Sequence, residues 1–290
     1  MRYFDTHTHA ISSDTDAYPV RPLGGRQSEW SRTRPVDVSG LIRHLDAAGI
    51  ERAALVHAST MYGFDNRYAA DALAGYPDRL VGVCAVDFLS DTAVPDLRHW
   101  IEERGFSGVR IRVSDGTTKV PTPGAGLSDG RMAAVWDYVE SRGVPVCIQM
   151  HSKDTGKLVE VLDAHPALTV LLDHAGRPDA GGGPSYPRLG ELGQLARFAG
   201  VHLKITPPAL RRLEAEPGAD VTEVLRRLAG TFGTDRLMWG SNFPASDGTL
   251  QDLRDSIESR LSWLAPDERA NVLGGNAARV YNVPVTTDSH

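Results

Sequence analysis

The sequence predicts a single-domain (β/α)₈ barrel of the α/β class. Eight short runs rich in Val, Ile and Leu recur along the 290 residues, and amphipathic stretches separate them. Apolar strands that alternate with helices are typical of a parallel sheet covered on both faces. No linker or low-complexity segment divides the chain. Eight units in one uninterrupted domain therefore favour a closed barrel, with a doubly wound open sheet as the alternative.

The predicted strands are RYFD (2–5), AALVHA (53–58), LVGVCAV (80–86), SGVRIRV (107–113), VPVCIQM (144–150), LTVLLD (168–173), VHLKI (201–205) and RLMW (236–239). Helical patterns such as SGLIRHLDAAG and VTEVLRRLAGTFG lie between them, and several end in Gly or Pro, as helix C-termini often do. A long first loop, about residues 10–36, has the length of a lid or binding loop. A last helical stretch, about residues 266–282, is expected to close one end of a domain that spans residues 1–290.

The composition limits the classes of binding partner and the cellular compartment that we expect for this protein. A net charge of −6 argues against nucleic acid or an anionic membrane as partner, because both bind proteins mainly through basic surface patches. No run approaches the eighteen or so apolar residues of a membrane span, and MRYFDTHTHA contains no apolar signal segment. Cys84 and Cys147 lie in apolar runs and indicate buried, reduced thiols, so we expect a soluble cytoplasmic protein. Barrels of this kind are often homodimers, but no stretch of the sequence reports an interface.

The first strand ends in two histidines spaced by two residues. In an extended chain this spacing directs His7 and His9 to the same face. The active site of such a barrel lies at the carboxyl ends of its strands, so both imidazoles are expected in the barrel mouth. Two converging imidazoles suit a metal such as Zn²⁺, although H-x-H alone is a common pattern.

Further histidines end other predicted strands. His151 follows the fifth strand, His174 ends the sixth and His57 ends the second. This concentration at strand ends exceeds what packing requires and predicts a histidine cluster. For His57 a buried structural role is the stronger interpretation, with substrate contact by His57 and nearby Tyr62 as the alternative.

The fourth strand carries Arg110 and Arg112 on one face, with Val109 and Ile111 on the other. Two arginines directed into a barrel are costly unless they are paired. They form either an internal ion pair, for instance with Asp5 or Asp87, or a fork for a substrate carboxylate.

Lys204, on the seventh strand, shares the face of these arginines. It either adds to an anion site or serves a structural role. Asp247 follows the eighth strand and is expected near the N-terminus of the next helix.

Four motifs in order, DTHTH, LLDHAG, WGSNFP and NAARVY, resemble those of the amidohydrolase superfamily. The stretch ALVHASTMYGFDNRYAADALAGYPDRLVGVCAVD is similar to the branch of TIM-barrel hydrolases that includes pyrone dicarboxylate lactonase and sugar lactonases. The resemblance covers nearly the whole chain. It is specific for the superfamily but not for the substrate.

The resemblance implies roles for particular residues. His7 and His9 match the H-x-H that binds metal in most members and polarises the substrate carbonyl in some metal-free lactonases. His174 matches a polarising or proton-transferring histidine. Arg110 and Arg112 match positions that hold the substrate carboxylate in related lactonases.

Two positions bear on the metal in opposite ways. His151 is typical of the mononuclear metal branch and implies a site of His7, His9 and His151 for one divalent ion, with zinc expected. Asn242 stands where most members have an aspartate that binds metal or activates water. A carboxamide is a weak neutral ligand and cannot act as a general base. The metal-free pattern of some lactonases is therefore the alternative.

The sequence thus predicts an enzyme, a lactonase-like hydrolase that opens a small carboxylated lactone or a related cyclic ester. His174 and Asn242 are its candidate catalytic residues, with Asn242 binding water or substrate. The alternatives are a metal-dependent decarboxylase or hydro-lyase on the same scaffold, and a non-catalytic binding protein.

Overall fold

The computed structural model describes residues 3–113 and 126–283. Eight parallel strands form one sheet in sequential order, β1 to β8. The strands are β1 Tyr3–Thr8, β2 Ile50–Val56, β3 Leu80–Ala85, β4 Phe106–Arg112, β5 Val146–Gln149, β6 Val170–Leu172, β7 Val201–Ile205 and β8 Leu237–Trp239. Every predicted strand is present, with ends that differ by up to three residues.

The sheet closes between its last and first strands. The segment after β8 pairs in parallel with the end of β1 through a bridge between Thr8 and Phe243. The Asn242 N–H donates to the His7 carbonyl at 2.7 Å, and the His9 N–H donates to the Phe243 carbonyl at 2.8 Å. This closure confirms the (β/α)₈ barrel and excludes the open doubly wound sheet.

Helices follow the strands around the outside of the barrel. The α-helices are α1 Glu29–Thr33, α2 Val38–Ala47, α3 Ser59–Tyr62, α4 Arg67–Gly75, α5 Ala93–Arg98, α6 Ala133–Ser141, α7 Thr155–Ala164, α8 Leu189–Gly193, α9 Pro207–Glu214, α10 Val221–Phe232, α11 Leu250–Arg260, α12 Pro266–Ala270 and α13 Asn276–Val280. Short π-helical segments at His99–Glu103 and Asn271–Gly275 extend α5 and join α12 to α13. The predicted closing helix is therefore a helical run in three parts.

The apolar core has two layers. The larger layer lies between the strands and the helices, and it includes the strand residues Val109 and Ile111. The smaller layer fills the barrel interior, where Phe4 and Met238 pack against Tyr281 at the end of α13. The rings of Phe4 and Tyr281 stack at 5.9 Å. The segment that ends α13 thus closes the barrel interior on the side of the strand N-termini.

Local sequence signals fix where several helices begin. The Asp220 carboxylate accepts from two backbone N–H groups at the start of α10. Thr249 and Asp252 form a capping box that begins α11, and Asp247 lies two residues before this cap, near the helix N-terminus as expected. Cys84 and Cys147 are buried and free, as predicted. Across residues 3–113 and 126–283 there is no helix with the length and apolarity needed to cross a membrane.

Gly240, which follows β8, allows the barrel to close. A Cβ at this position would lie 2.8 Å from the His7 Cβ and 3.2 Å from the His7 nitrogen. Because a packed strand junction relaxes little, we expect Gly240→Ala to lower the free energy of unfolding by about 1–3 kcal/mol. Urea denaturation measures the change.

The matched control is Gly75→Ala at the end of α4, where a Cβ would meet no atom within 4 Å. We expect this control to leave stability unchanged or slightly raised. Equal stability of the two variants would show that the β1–β8 junction has room for a side chain.

Candidate active site

A cavity of about 670 Å³ opens at the carboxyl ends of the strands. His9, His174 and Asn242 line it. Five arginines also line it, namely Arg34, Arg110, Arg112, Arg177 and Arg211, whereas Glu29 and Asp247 are the carboxylates on its described wall. The chain is acidic as a whole, but this cavity is strongly cationic and therefore suited to an anionic molecule.

The His9 ring is held on both sides. Its Nδ1 lies 2.7 Å from the Val56 carbonyl oxygen, and its face stacks on Trp30 at a centroid distance of 5.0 Å and an angle of 24°. Burial lowers the pKa of His9 to about 3, so the ring is neutral near pH 7. A carbonyl oxygen accepts hydrogen bonds but cannot donate them. The proton of the neutral ring is therefore on Nδ1, and Nε2 carries a lone pair.

His174 begins a left-handed turn at the end of β6. The φ angles of His174, Ala175, Gly176 and Arg177 are 56°, 52°, 64° and 50°. Three of these residues carry a Cβ, and a left-handed conformation costs each roughly 1–2 kcal/mol. The turn presents both His174 and Arg177 to the cavity. Strain of this kind persists where the surrounding structure fixes the backbone.

The ring of His174 is anchored by Thr206, the residue before α9. The His174 Nδ1 and the Thr206 Oγ1 are 2.8 Å apart, and Thr206 is fully buried. Burial lowers the pKa of His174 to about 3. His174 is therefore a second neutral imidazole on the cavity wall.

His7 lies beneath these two rings rather than on the cavity wall. It is fully buried, and its ring centroid is 5.1 Å from those of both His9 and His174. Its Nδ1 is 3.3 Å from an oxygen of Asp173. Burial holds the pKa of His7 well below its usual value. His7 thus supports the two rings that face the cavity.

Asp173 is the buried anion at the centre of the site, and sequence reasoning missed it. Its Oδ2 accepts from the Arg110 Nε at 2.7 Å, and its Oδ1 lies 3.2 Å from the Lys204 Nζ. Burial acts to raise the pKa of Asp173, but Lys204 and Arg110 hold it well below its usual range. The apolar run before LLDH was the available signal, because it places Asp173 at a strand end beside His174.

This network decides between the alternatives for the basic residues. Arg110 has an internal partner, which is Asp173 rather than Asp5 or Asp87, and its second donor bonds Gln149 at 2.7 Å. Lys204 is fully buried and its Nζ lies 3.0 Å from the Cys147 Sγ, so it has a structural role. Arg110 nevertheless lines the cavity.

Arg112 also lines the cavity and is itself buried. Asp5, one of the expected partners, instead accepts from the backbone N–H groups of His7 and Ser241 at 3.0 and 2.8 Å. Burial raises the pKa of Asp5 to about 6. The carboxylate of Asp5 therefore braces the β1–β8 junction.

Asn242 occupies the cavity wall next to the histidines. Its φ of 56° is left-handed, a conformation that asparagine adopts more readily than most residues. Its side-chain Nδ2 donates to the Ser246 Oγ at 3.2 Å. A neutral amide therefore stands in the barrel mouth, and it contributes no base.

Three predicted site residues lie elsewhere. The His151 Nε2 faces the Arg177 guanidinium at 3.4 Å, and His151 is not on the cavity wall. The His57 Nε2–H donates to the Gly63 carbonyl at 2.9 Å, and the Tyr62 hydroxyl accepts from a backbone N–H. The side chains of His57 and Tyr62 are buried and are not among the residues that line the cavity, which favours the structural interpretation of His57.

The expected metal triad of His7, His9 and His151 is not assembled. Within the described ranges, no three histidine, cysteine or carboxylate side chains could hold one metal ion. His7 and His9 offer ring nitrogens in the right chemical state, but a catalytic zinc site has three protein ligands. Asp173 is engaged by two cations, and Asn242 is a weak ligand. The described residues therefore provide one protein ligand too few for a catalytic zinc site.

The first loop forms the roof of the cavity. Trp30 belongs to α1, and Arg34 follows it. Arg34 donates to the carbonyls of Ala245 and Ser246 at 3.1 and 3.4 Å and forms an ion pair with Asp247. The loop after β1 is thereby fastened to the loop after β8.

Comparison with known proteins gives a consistent result. A family model described as Amidohydrolase matches residues 4–283. The chain is 25% identical to L-fucono-1,5-lactonase of Burkholderia ambifaria, over 96% of this chain and 95% of that protein. It is 26% identical to 4-sulfomuconolactone hydrolase of Rhizobium radiobacter, over 97% of this chain and 90% of that protein.

A solved amidohydrolase from Burkholderia multivorans with bound zinc shares the fold. The TM-score is 0.76 at 20% identity, over 98% of this chain and all of that chain (100%). At this identity the likeness shows the barrel and not the ligands of the metal.

Removing the buried anion should destabilise the barrel strongly. Asp173→Asn leaves Lys204 and Arg110 as buried cations without a counter-charge, so we expect a loss of about 3–5 kcal/mol of unfolding free energy. The matched control is Asp163→Asn, which breaks an exposed ion pair with Arg197 and should cost less than about 1 kcal/mol. Urea denaturation measures both. A small loss for Asp173→Asn would mean that the two cations do not depend on this carboxylate.

Stability should depend on pH through the buried histidines, and His57 isolates one of them. Burial lowers the pKa of His57 to about 4 from 6.5, so between these values the unfolded chain binds a proton that the folded protein does not. The stability of the wild type relative to His57→Gln should therefore fall as pH decreases from 6.5 to 4, by about 1.4 kcal/mol per pH unit. Urea denaturation at pH 7, 6 and 5 tests this. A difference independent of pH would mean that the folded protein protonates His57 readily.

Proposed function

The chain belongs to the amidohydrolase family, and from this premise we propose that it is a hydrolase that opens a small lactone bearing an anionic group. The observation that carries the proposal is the cationic cavity whose wall also holds two neutral histidines. The named relatives support it, because both act on lactones. The partner that we propose for this cavity is a small anionic substrate rather than a nucleic acid or a membrane. The free thiols of Cys84 and Cys147 favour a cytoplasmic location.

The arginines orient the substrate. Arg110 keeps part of its guanidinium for Asp173 and Gln149, and this fixes the direction of its remaining N–H groups. Arg112 is the second arginine of the same strand on the cavity wall. Guanidinium groups bind carboxylates with charge-assisted hydrogen bonds. We assign the substrate's anionic group to this pair.

His174 acts on the lactone carbonyl. It is neutral, lies on the cavity wall and is anchored through Nδ1, which leaves Nε2 for the substrate. Hydrogen bonding to the carbonyl oxygen becomes stronger as negative charge develops during attack by water, and this lowers the barrier. Asn242, beside it, binds the water or the ring oxygen through its amide.

We propose that this chemistry proceeds through the chain's own residues. The resemblance implied one divalent ion, with zinc expected, whereas the described residues offer His7 and His9 no third ligand. Elemental analysis of protein purified without chelator tests the point. About one equivalent of tightly held metal would favour the site expected from the resemblance.

The function is tested with a panel of carboxylated and neutral lactones and a second panel of carboxylated aromatic acids. We expect ring opening of a carboxylated lactone and no release of carbon dioxide. Arg112→Gln should raise KM for that lactone by about tenfold to a hundredfold, because a charge-assisted hydrogen bond contributes about 1.5–3 kcal/mol. It should change KM for a neutral lactone little.

The matched control is Arg32→Gln, since Arg32 is exposed and lies off the cavity wall. Release of carbon dioxide without ring opening would replace the proposal with a decarboxylase. Binding of carboxylated lactones without turnover would favour a non-catalytic binding protein.

A further inference from the structure

Position 242 on the cavity wall is an asparagine, so this position supplies no carboxylate to activate water. Asp173 is engaged by Arg110 and Lys204 and lies beneath the cavity. Of the two carboxylates on the described cavity wall, Glu29 is exposed, and Asp247 is exposed and paired with Arg34. Among the described residues, the histidines of the cavity wall are the remaining candidates for the general base.

We propose that His9 is the general base and that His174 is the hydrogen-bond donor to the carbonyl, two neutral histidines held in opposite tautomers. This inference rests on the proposed lactone opening. The Val56 carbonyl fixes the tautomer of His9, and Thr206 fixes that of His174. The division of roles replaces the missing carboxylate at position 242.

His9 is set to accept a proton. Its Nδ1–H is donated to the Val56 carbonyl, so the lone pair is on Nε2 of a ring that lines the cavity. The stacked Trp30 prevents the ring from tilting out of this orientation. The Val56 carbonyl also stabilises the imidazolium that forms when Nε2 takes a proton from water.

His174 is set to donate a hydrogen bond, because of how Thr206 is placed. Thr206 precedes α9, whose first two residues, Pro207 and Pro208, have no N–H to cap, and its hydroxyl makes no capping bond. The His174 Nδ1 is the described partner of this fully buried hydroxyl. A buried hydroxyl proton without an acceptor costs more than an unused lone pair. Thr206 therefore donates to Nδ1, and the ring proton is on Nε2.

The resulting reaction is balanced. Water gives a proton to the His9 Nε2 while its oxygen forms a bond to the lactone carbonyl carbon. The carbonyl oxygen becomes an oxyanion that accepts from the His174 Nε2–H. The oxyanion then re-forms the carbonyl as the bond between the carbonyl carbon and the ring oxygen breaks, and the leaving oxygen takes the proton from His9. The product is a hydroxy acid, or its enol or keto form, which releases a proton to solvent.

The tautomers are tested directly on the resting protein by ¹⁵N NMR after labelling of histidine nitrogens. The signals are assigned with His9→Gln and His174→Gln. We expect His9 to carry its proton on Nδ1 and His174 to carry its proton on Nε2. Thr206→Val should mix the tautomers of His174, whereas Thr206→Ser should preserve them. The same tautomer in both wild-type rings would overturn the proposal.

A kinetic cycle tests the role of His9. His9→Gln should lower kcat/KM for lactone opening by at least about a hundredfold. In an Asn242→Asp background, where a carboxylate can activate water, the same change should cost less than about tenfold. Equal losses in the two backgrounds would contradict a base role for His9.

Thr206 is a positioning residue, and its test needs a matched control. Thr155→Val removes another buried threonine hydroxyl at the start of a helix, away from the cavity. Thr206→Val should lower kcat about tenfold with little change in KM, whereas Thr206→Ser and Thr155→Val should retain kcat. Serine keeps the hydroxyl and removes only the methyl group. A loss of kcat in Thr206→Ser would therefore mean that Thr206 acts through packing and not through its hydrogen bond to His174.

Elemental analysis and the NMR experiment separate the possible failures. One equivalent of metal in the wild type that is lost in His9→Gln would make His9 a ligand and overturn its role as base. If no lactone is opened while the two tautomers are as expected, the proposed function fails but the arrangement of the rings stands.

Discussion

The buried carboxylate of Asp173 is the interaction on which the rest of the site depends. Arg110 and Lys204 are buried side chains, and burying either cation without a counter-charge would be costly. By holding both, Asp173 fixes Arg110 at the cavity wall and supports His7 beneath the other histidines. One anion thereby organises both the arginine side and the histidine side of the cavity. The cost of burying this carboxylate is offset by the hydrogen bond from Arg110 and the nearby charge of Lys204 rather than by solvent.

The architecture could be predicted from the sequence because strands and helices alternate regularly along the chain of a barrel. Nearly continuous apolar runs located all eight strands, and a spacing of two residues placed Arg110 and Arg112 on one face. The position of a residue at a strand end was enough to predict that His9, His174 and Asn242 share a cavity. These inferences depend on local pattern and on the rule that active sites lie at the carboxyl ends of barrel strands.

What the sequence did not reveal depends on contacts between distant elements. The partner of Arg110 was expected to be Asp5 or Asp87, because pattern gives the face of a strand but not which neighbour lies across the barrel. His151 follows its strand as expected, yet its side chain turns to Arg177. The role of Thr206 was also missed, since a threonine before a helix ordinarily indicates a cap. The tautomers of the His9 and His174 rings could not be predicted from the sequence, because each depends on the position of a single neighbouring atom.

The closure of the barrel also determines when the site can exist. The carboxylate of Asp5 is bonded to the backbone of Ser241, 236 positions away, and the strand that carries His9 completes its pairing only with the segment after β8. A chain emerging from the ribosome therefore exposes its first strand long before its last partner is made. Until that partner arrives, His9 has no fixed neighbour on one side and the cavity has no complete wall. The cavity wall is therefore complete only once the segment after β8 has paired with the end of β1.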